Sequence, residues 1–159
     1  MLLRPFFAPP FPLEIEFDVH APANVAFPWT LGLFIREPGQ SVVGEKTYSR
    51  FFVRTYDNLA GIEIAGESKT VPCPLKPVNR ILVQFADGRA VLYVNGQLCL
   101  DRSEKDFHPQ PVFDLGCHDH VGPQLLVRVS NVRIRKWEPP KQEASQGKTT
   151  STELVGASR

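Results

Sequence analysis

Three carboxylates on alternate positions of one short segment are the residues best placed to do chemistry. In the run from Leu13 to Val19, Glu14, Glu16 and Asp18 alternate with apolar residues. Because alternate residues of a strand point to the same face, the three carboxylates would share one side of it. Two carboxylates about 5–5.5 Å apart suit retaining glycoside hydrolysis, one as nucleophile and one as acid. The same alternation also describes an acidic outer face that discourages edge pairing, so both interpretations stay open.

The segment Cys117-His118-Asp119-His120 holds the side-chain types that bind metal ions. In an extended strand His118 and His120 would share a face, as neighbouring zinc ligands can, and a third ligand would have to come from His20 or His108. A strand that ends in the following Val-Gly-Pro turn explains the same residues without metal. We therefore expect no cofactor, with calcium or zinc left open through His118 and His120.

Aromatic and polar residues elsewhere could bind a saccharide, because the apolar face of a sugar ring packs on an aromatic ring. The candidate stacking residues are Trp29, Tyr48, Tyr56 and Trp137. Their candidate polar partners are Arg36, Arg54, Asn58 and His118. Aromatic residues of this kind are more often part of the core than of a ligand site, so packing is the competing explanation.

The composition describes a globular protein with no electrostatic attraction for polyanions. The 159 residues are 42% hydrophobic and 22% charged, with a formal net charge of +1. That length suffices for one domain that closes its core without disulfides or metals. Near-neutrality excludes a nucleic-acid or anionic-membrane partner, and no run reaches the roughly 20 apolar residues of a membrane span.

The three cysteines, Cys73, Cys99 and Cys117, fit no metal or redox motif. We expect reduced thiols that pack as small apolar residues, although one disulfide and one free thiol are also compatible with the count. The proline-rich N-terminus lacks the order of a signal peptide. Reduced cysteines and this N-terminus favour a cytoplasmic protein, unless the chain begins inside a longer one.

The apolar pattern has a period of two residues, which is typical of strands. The predicted strands are 13–19, 29–36, 50–56, 62–65, 80–86, 89–94, 97–101, 112–118 and 124–137. Residues 29–36 are apolar almost throughout, so we expect burial on both faces of that strand. The stretch from Glu45 to Ala60 also fits helical spacing, but its β-branched and aromatic residues favour a strand.

Turn signals connect these strands into antiparallel pairs. Asp57-Asn58 predicts one turn, and Asp87-Gly88 and Asn95-Gly96 predict two successive hairpins whose central residues need positive φ. The apolar phase slips at Ser130-Asn131, which predicts a β-bulge or bend in the last strand. Many short strands without a clear helix indicate an antiparallel sandwich.

Three of these segments resemble the concanavalin A-like lectin/glucanase superfamily. They are the meander 79–96, the closing strand 129–135, and the opening Leu-Glu-Ile-Glu-Phe of residues 13–17. Laminin-G-like and keto-disaccharide hydrolase-like domains, and bacterial domains of unknown function, share this pattern. The resemblance implies an all-β, antiparallel jelly-roll sandwich. Laminarinase-type hydrolases of this superfamily carry Glu-x-Asp-x-x-Glu or a shorter form on one strand, so it also implies a catalytic use for residues 14–18.

We therefore expect three parts: a proline-rich segment at 1–12, a jelly-roll domain at 13–137, and a disordered tail or linker at 138–159. The tail has no aromatic residue and few apolar ones. The expected function is a non-catalytic glycan-recognition or accessory module. The alternatives are a glycoside hydrolase-like enzyme and a structural or protein-interaction domain. The expected partner is a glycan, or a larger parent protein or complex reached through the tail.

Overall fold

The described part of the chain is built from β-strands alone. The computed structural model describes residues 6–7, 12–20, 30–36, 49–55, 57–64, 66–103, 105, 107, 112–118 and 128–138, with the backbone alone for 6–7, 34, 36 and 112–118. These residues form no helix of any kind. They therefore contain no helix that is long and apolar enough to cross a membrane.

Eleven strands in the described residues form two antiparallel sheets. They are β1 (Phe6–Phe7), β2 (Leu13–His20), β3 (Thr30–Arg36), β4 (Ser49–Arg54), β5 (Leu59–Ile64), β6 (Glu67–Pro72), β7 (Val78–Ala86), β8 (Arg89–Val94), β9 (Gln97–Ser103), β10 (Val112–His118) and β11 (Arg128–Lys136). The six-stranded sheet has the order β1-β10-β3-β4-β5-β6, and the five-stranded sheet has the order β11-β2-β7-β8-β9. The predicted antiparallel sandwich is confirmed.

The core lies between the two sheets and follows the two-residue period of the sequence. In β2, Leu13, Ile15, Phe17 and Val19 are buried in the core cluster, while the carboxylates between them belong to the opposite face. Phe51 of the six-stranded sheet meets a phenylalanine of the five-stranded sheet, with ring centroids 6.0 Å apart. Each sheet therefore has an inner face that packs and an outer face whose residues are left for solvent, ion pairs or ligands.

Strand β3 is buried on both faces, as predicted. Leu31 and Leu33 belong to the core, and Thr30 and Gly32, which point the other way, are buried as well. The outer face of the six-stranded sheet is thus partly closed at its centre. This burial matters for the site described below, because β3 pairs directly with β4.

The hairpin turns follow the sequence signals with one difference. Asn95 and Gly96 both have positive φ, 54° and 80°, as a type I′ turn requires. In the β7–β8 turn only Gly88 has positive φ, at 71°, so Asp87 does not adopt the predicted conformation. The expected irregularity in β11 is confirmed by a register shift between Ser130 and Arg133, with Asn131 at φ 55°.

Two strands were not predicted. Strand β6, Glu67–Pro72, carries mostly exposed polar residues, so it has no apolar alternation to reveal it. Strand β1 is only two residues long and lies within the proline-rich segment 1–12. Both are outermost in the six-stranded sheet, where a strand needs little apolar surface of its own because it pairs on one side only.

Candidate functional site

The β4–β5 hairpin carries a group of polar and aromatic side chains on the outer face of the six-stranded sheet. Its register pairs Arg50 with Glu63, Phe52 with Gly61, and Arg54 with Leu59. Because Phe51 and Val53 lie in the core, the alternate residues of β4 are directed to the outer face. Directly opposed residues share a face, so the arginines and Phe52 meet the partners that β5 supplies.

Phe52 lies flat over Gly61 and is closed in. A Cβ atom placed on Gly61 would be 2.2 Å from Cζ of Phe52 and 2.7–2.8 Å from its two Cε atoms, so only glycine fits beneath the ring. The guanidinium carbon of Arg50 is 4.7 Å from the ring centroid, and that of Arg54 is 5.7 Å from it. Phe52 is only 3% exposed, although it faces away from the core. The ring is therefore the buried base of this group rather than an open stacking platform.

Each of these arginines is held by a carboxylate. Arg50 Nη2 donates to Glu63 Oε2 at 2.7 Å, and Arg54 Nη2 donates to Asp57 Oδ2 at 2.6 Å. Asp57 lies in the turn between the two strands, three residues after Arg54. We call Arg50, Phe52, Arg54, Asp57 and Glu63 the Phe52 cluster. It places cationic donors and anionic acceptors side by side around one aromatic ring.

The strand next to the cluster adds a buried hydroxyl. Thr30 is opposite Arg54 in the register and is 1% exposed. Its Oγ1 atom is buried and has no hydrogen-bond partner within the described part of the protein. A polar atom in this position is unusual, because buried hydroxyls generally find a partner. Thr30 thus adds a buried hydroxyl, unpaired among the described residues, beside the Arg54 end of the cluster.

Several predicted ligand-binding residues fall on this same sheet. Arg54 is in the cluster, and Asn58 follows Asp57 in the turn, exposed and with φ 52°. In the backbone register His118 is opposite Thr30, and Arg36 is opposite Val112 at the end of β3. Trp29, Tyr48, Tyr56 and His120 lie outside the described residues. The fold therefore brings the strand positions of Arg36, Arg54 and His118 into one sheet.

The predicted catalytic carboxylates lie on the other sheet, and Asp18 is fully engaged. Arg80 donates to it through Nε at 2.9 Å and Nη2 at 3.3 Å, and Asn131 Nδ2 donates at 2.6 Å. These hydrogen bonds, that from Arg80 above all, hold the pKa of Asp18 below its ordinary value of 3.8. A lowered pKa suits a permanent anion and does not suit a general acid.

Glu14 and Glu16 also meet arginines on that outer face. Arg135 Nε lies 2.5 Å from Glu14, which accepts a further hydrogen bond from Gln84 at 2.9 Å. Arg135 and Arg133 approach Glu16 at 3.5 and 3.8 Å. The three carboxylates do share a face, as the alternation predicts, and within the described residues they form an ion-pair network. Their catalytic use stays a prediction.

A shallow groove opens beside Asp18, at one end of the five-stranded sheet. It has a volume of about 440 Å³ and is lined by Asp18, Lys76, Val78, Arg80, Asn95 and Gly96. Behind this lining, the buried Asn79 accepts hydrogen bonds from the Lys76 backbone at 2.8 Å and from Asn95 Nδ2 at 3.0 Å. Asn95 Oδ1 accepts a further hydrogen bond from the Arg80 backbone at 3.0 Å.

Two further candidates from the sequence are the stacking residue Trp137 and the metal ligands. Trp137 is buried, with the Arg89 guanidinium 5.6 Å from its ring centroid, so it is not an open stacking residue. In the part of the chain that the structure describes, no group of three or more His, Cys, Asp and Glu side chains could hold a metal ion. The metal pair His118 and His120 stays a prediction, since His120 is not described.

Comparison with known proteins identifies the fold. No protein-family model matches the chain, and no curated protein is similar to it in sequence. Solved structures do match: a carbohydrate-binding module, CBM66, from Bacillus subtilis has a TM-score of 0.56 at 11% identity, with coverage of 84% of this chain and 78% of that one. Sheep galectin-11 has a TM-score of 0.55 at 9% identity, with coverage of 85% and 96%. The chain has the concanavalin A-like jelly-roll fold.

A hydrolase of the same architecture also matches this jelly roll. The β-glucanase of Bacillus licheniformis has a TM-score of 0.50 at 12% identity, with coverage of 83% of this chain and 66% of that one. At such low identity these likenesses establish the concanavalin A-like fold and nothing about a particular site. The fold class expected from the sequence is confirmed, while the choice of function has to come from the side chains.

Of the Phe52 cluster, the sequence analysis named only Arg54 as a candidate ligand-binding residue. Arg50, Phe52 and Arg54 alternate along β4, which places two arginines and an aromatic ring on one face. The predicted Asp57-Asn58 turn indicates that the two strands pair, but a two-residue turn there would set Gly61 opposite Arg54. The structure has a four-residue connection, 55–58, which sets Gly61 opposite Phe52 and Glu63 opposite Arg50. The sequence therefore indicated the hairpin but not its register.

Proposed function

We propose that this protein is a non-catalytic glycan-recognition module that holds a saccharide on the outer face of its six-stranded sheet, at the Phe52 cluster. The observation that carries the proposal is the pair of arginine–carboxylate contacts, at 2.7 and 2.6 Å, that frames Phe52 on this face. One of the matched structures is by name a carbohydrate-binding module of the same fold. That likeness supports glycan recognition as the class of function, and the Phe52 cluster offers the hydrogen-bonding groups that a saccharide needs.

Sugar hydroxyl groups both donate and accept hydrogen bonds, so they need donors and acceptors close together. Guanidinium groups offer donors in a fixed plane, and carboxylates offer acceptors, and hydrogen bonds to charged groups are stronger than neutral ones. The Phe52 cluster supplies both kinds within two adjacent strands. A pair of neighbouring hydroxyls would bridge Arg54 and Asp57 in this way, because their side chains are 26% and 32% exposed, against 16% and 17% for Arg50 and Glu63.

Preorganisation favours recognition at this site over an ordinary surface ion pair. The ring of Phe52 packs on Gly61, and the guanidinium groups of Arg50 and Arg54 lie over it. Each arginine is further oriented by its carboxylate. Because long side chains lose less conformational freedom on binding when they are already fixed, such a cluster costs less to engage.

The test is a glycan array on the full chain, followed by calorimetric titration of the strongest hit against matched variants. Arg54→Ala should weaken binding about 10–100-fold, because it removes hydrogen bonds from a charged donor. Arg89→Ala is the matched control. Arg89 and Asp101 are paired at 2.8 Å with exposures of 26% and 38%, against 26% and 32% for Arg54 and Asp57, but they lie on the other sheet.

Arg89→Ala should leave the affinity within about twofold of the unaltered protein, and thermal unfolding should show that both variants are folded. Equal losses in the two variants would place binding elsewhere. A folded protein that binds no glycan on the array would reject the proposal and favour the protein-interaction alternative.

A further inference from the structure

Two of the three cysteines lie next to each other at the place where the edges of the two sheets meet. Cys73 directly follows β6, and Cys99 is in β9; these are outermost strands of the two described sheets. The Sγ atoms are 4.0 Å apart, although the residues are separated by 26 positions in sequence. Both are free thiols in this structure. The fold therefore brings together a thiol pair that the sequence spacing does not suggest.

The two thiols differ in access to solvent. Cys73 is 6% exposed and belongs to the core cluster, whereas Cys99 is partly exposed at the edge strand. Burial, together with the neighbouring Cys99 sulfur, raises the pKa of Cys73 to about 12. Cys99 is consequently the thiol that an external reagent reaches first, and Cys73 is positioned to react second.

We propose that Cys73 and Cys99 form a reversible disulfide by exchange with low-molecular-weight disulfides such as glutathione disulfide. The Cys99 thiolate attacks one sulfur of the reagent and releases one glutathione thiolate. Cys73 then loses its proton and attacks Cys99 Sγ of the mixed disulfide, which releases the second thiolate. The protein loses two electrons and two protons, and the reagent gains them as two molecules of the thiol.

The geometry allows this closure with local movement. A disulfide requires sulfurs about 2.05 Å apart, so the pair must approach by roughly 2 Å, a distance that side-chain rotation and a small shift of the connecting segment can cover. Cys73 begins the segment 73–77 between β6 and β7, which has no regular secondary structure. Cys99 is near the beginning of β9, where β8 and β9 shift register between Leu92 and Tyr93.

Closing the bond would join the edge of the six-stranded sheet to that of the five-stranded sheet. It would also hold the β4–β5 turn, because the backbone N–H of Cys73 donates to the carbonyl of Asn58 at 2.6 Å. Asp57, in the same turn, holds Arg54. The pair is thus one hydrogen bond away from the Phe52 cluster, but the disulfide itself does not depend on glycan binding.

In the experiment, the full chain is equilibrated with glutathione redox buffers, with Cys117→Ser introduced so that only Cys73 and Cys99 can react. The measurements are thiol content, intact mass and thermal unfolding. The expected product has lost two thiols and two hydrogens, carries no glutathione, and unfolds roughly 5–15 °C higher than the reduced form, because the bond closes a long loop. Peptide mapping without reduction should recover Cys73 linked to Cys99. The same mapping on the unaltered chain gives the answer if Cys117→Ser does not fold.

Matched controls separate the steps. Cys73→Ala should keep a stable glutathione adduct on Cys99, because the second thiol is missing, and Cys99→Ala should leave Cys73 unmodified in the folded protein. Adducts on Cys99 without an internal bond, a bridge to Cys117, or no reaction at all would each overturn the proposal. Since none of these readouts involves a saccharide, failure of the glycan array would leave the result on the cysteines standing.

Discussion

The close fit of Phe52 on Gly61 predicts a strong and specific energetic coupling between the two residues. In Gly61→Ala the new Cβ would lie 2.2 Å from Cζ of Phe52. Because non-bonded carbon atoms rest about 3.5–4.0 Å apart, the ring would have to move by about 1.3 Å or more. Overpacking of this kind costs about 1–3 kcal/mol. The ring has little room to yield, since it is buried and flanked by Arg50 and Arg54.

Removing the ring should reverse the sign of the glycine substitution. Phe52→Ala alone should cost about 3 kcal/mol, as truncation of a buried aromatic ring usually does. In that background Gly61→Ala meets no ring, and it should be neutral or stabilising by about 0.5–1 kcal/mol because alanine restricts the unfolded chain more than glycine. The coupling between the two substitutions should therefore be about 1–4 kcal/mol.

Urea denaturation of the unaltered protein, both single variants and the double variant measures this coupling directly. Equal slopes of free energy against urea would show that all four proteins unfold between comparable states. Additive effects, with Gly61→Ala costing the same with and without the ring, would refute the reasoning. They would mean that the ring does not lie on Gly61 in solution, and the preorganised base of the proposed glycan site would be lost with it.

Two further predictions concern stability. The pKa of Asp18 is lower in the folded protein than its ordinary value of 3.8, so the ionised carboxylate stabilises the fold above that pH, and this stabilisation is lost as the pH falls through the lower folded value. Asp18→Asn should therefore flatten the fall in urea midpoint between about pH 5 and 2. An unchanged pH profile would contradict this. Asn95→Ala should lower the free energy of unfolding by about 1–2 kcal/mol in the same assay, because Asn95 has φ 54° and accepts a hydrogen bond from the Arg80 backbone. Asn95→Gly should cost less, because glycine adopts positive φ without strain.

The sequence contained the local determinants of this fold. Alternation in β2 predicted its two faces, and Asn95-Gly96 predicted a hairpin turn with two positive φ angles. The slip at Ser130-Asn131 predicted the irregularity of β11. These features depend on neighbours within a few residues. Strand β6 could not be predicted in this way, because its exposed polar residues form a strand only by pairing with β5.

The candidate site shows where local reasoning stops. The alternation of Glu14, Glu16 and Asp18 correctly places them together, but their partners Arg80, on β7, and Arg135, on β11, come from distant segments. No local pattern indicates that these carboxylates are paired, which changes their chemistry. The same limit hid the cysteine pair. The Phe52 cluster depends on shorter-range contacts, since its members come from one hairpin.

The bulge in β11 also bears on how the protein behaves at high concentration. Among the described strands, β11 pairs with β2 alone and is outermost in its sheet. Its outer edge carries backbone groups, and Asn131, in the left-handed conformation, interrupts the regular spacing of those groups, and the exposed Arg128 and Lys136 lie at the two ends of the strand. A bulge and charged side chains on an edge strand both hinder edge-to-edge pairing of copies. The exposed Val132 and Ile134 of this strand therefore lie beside features that oppose such pairing.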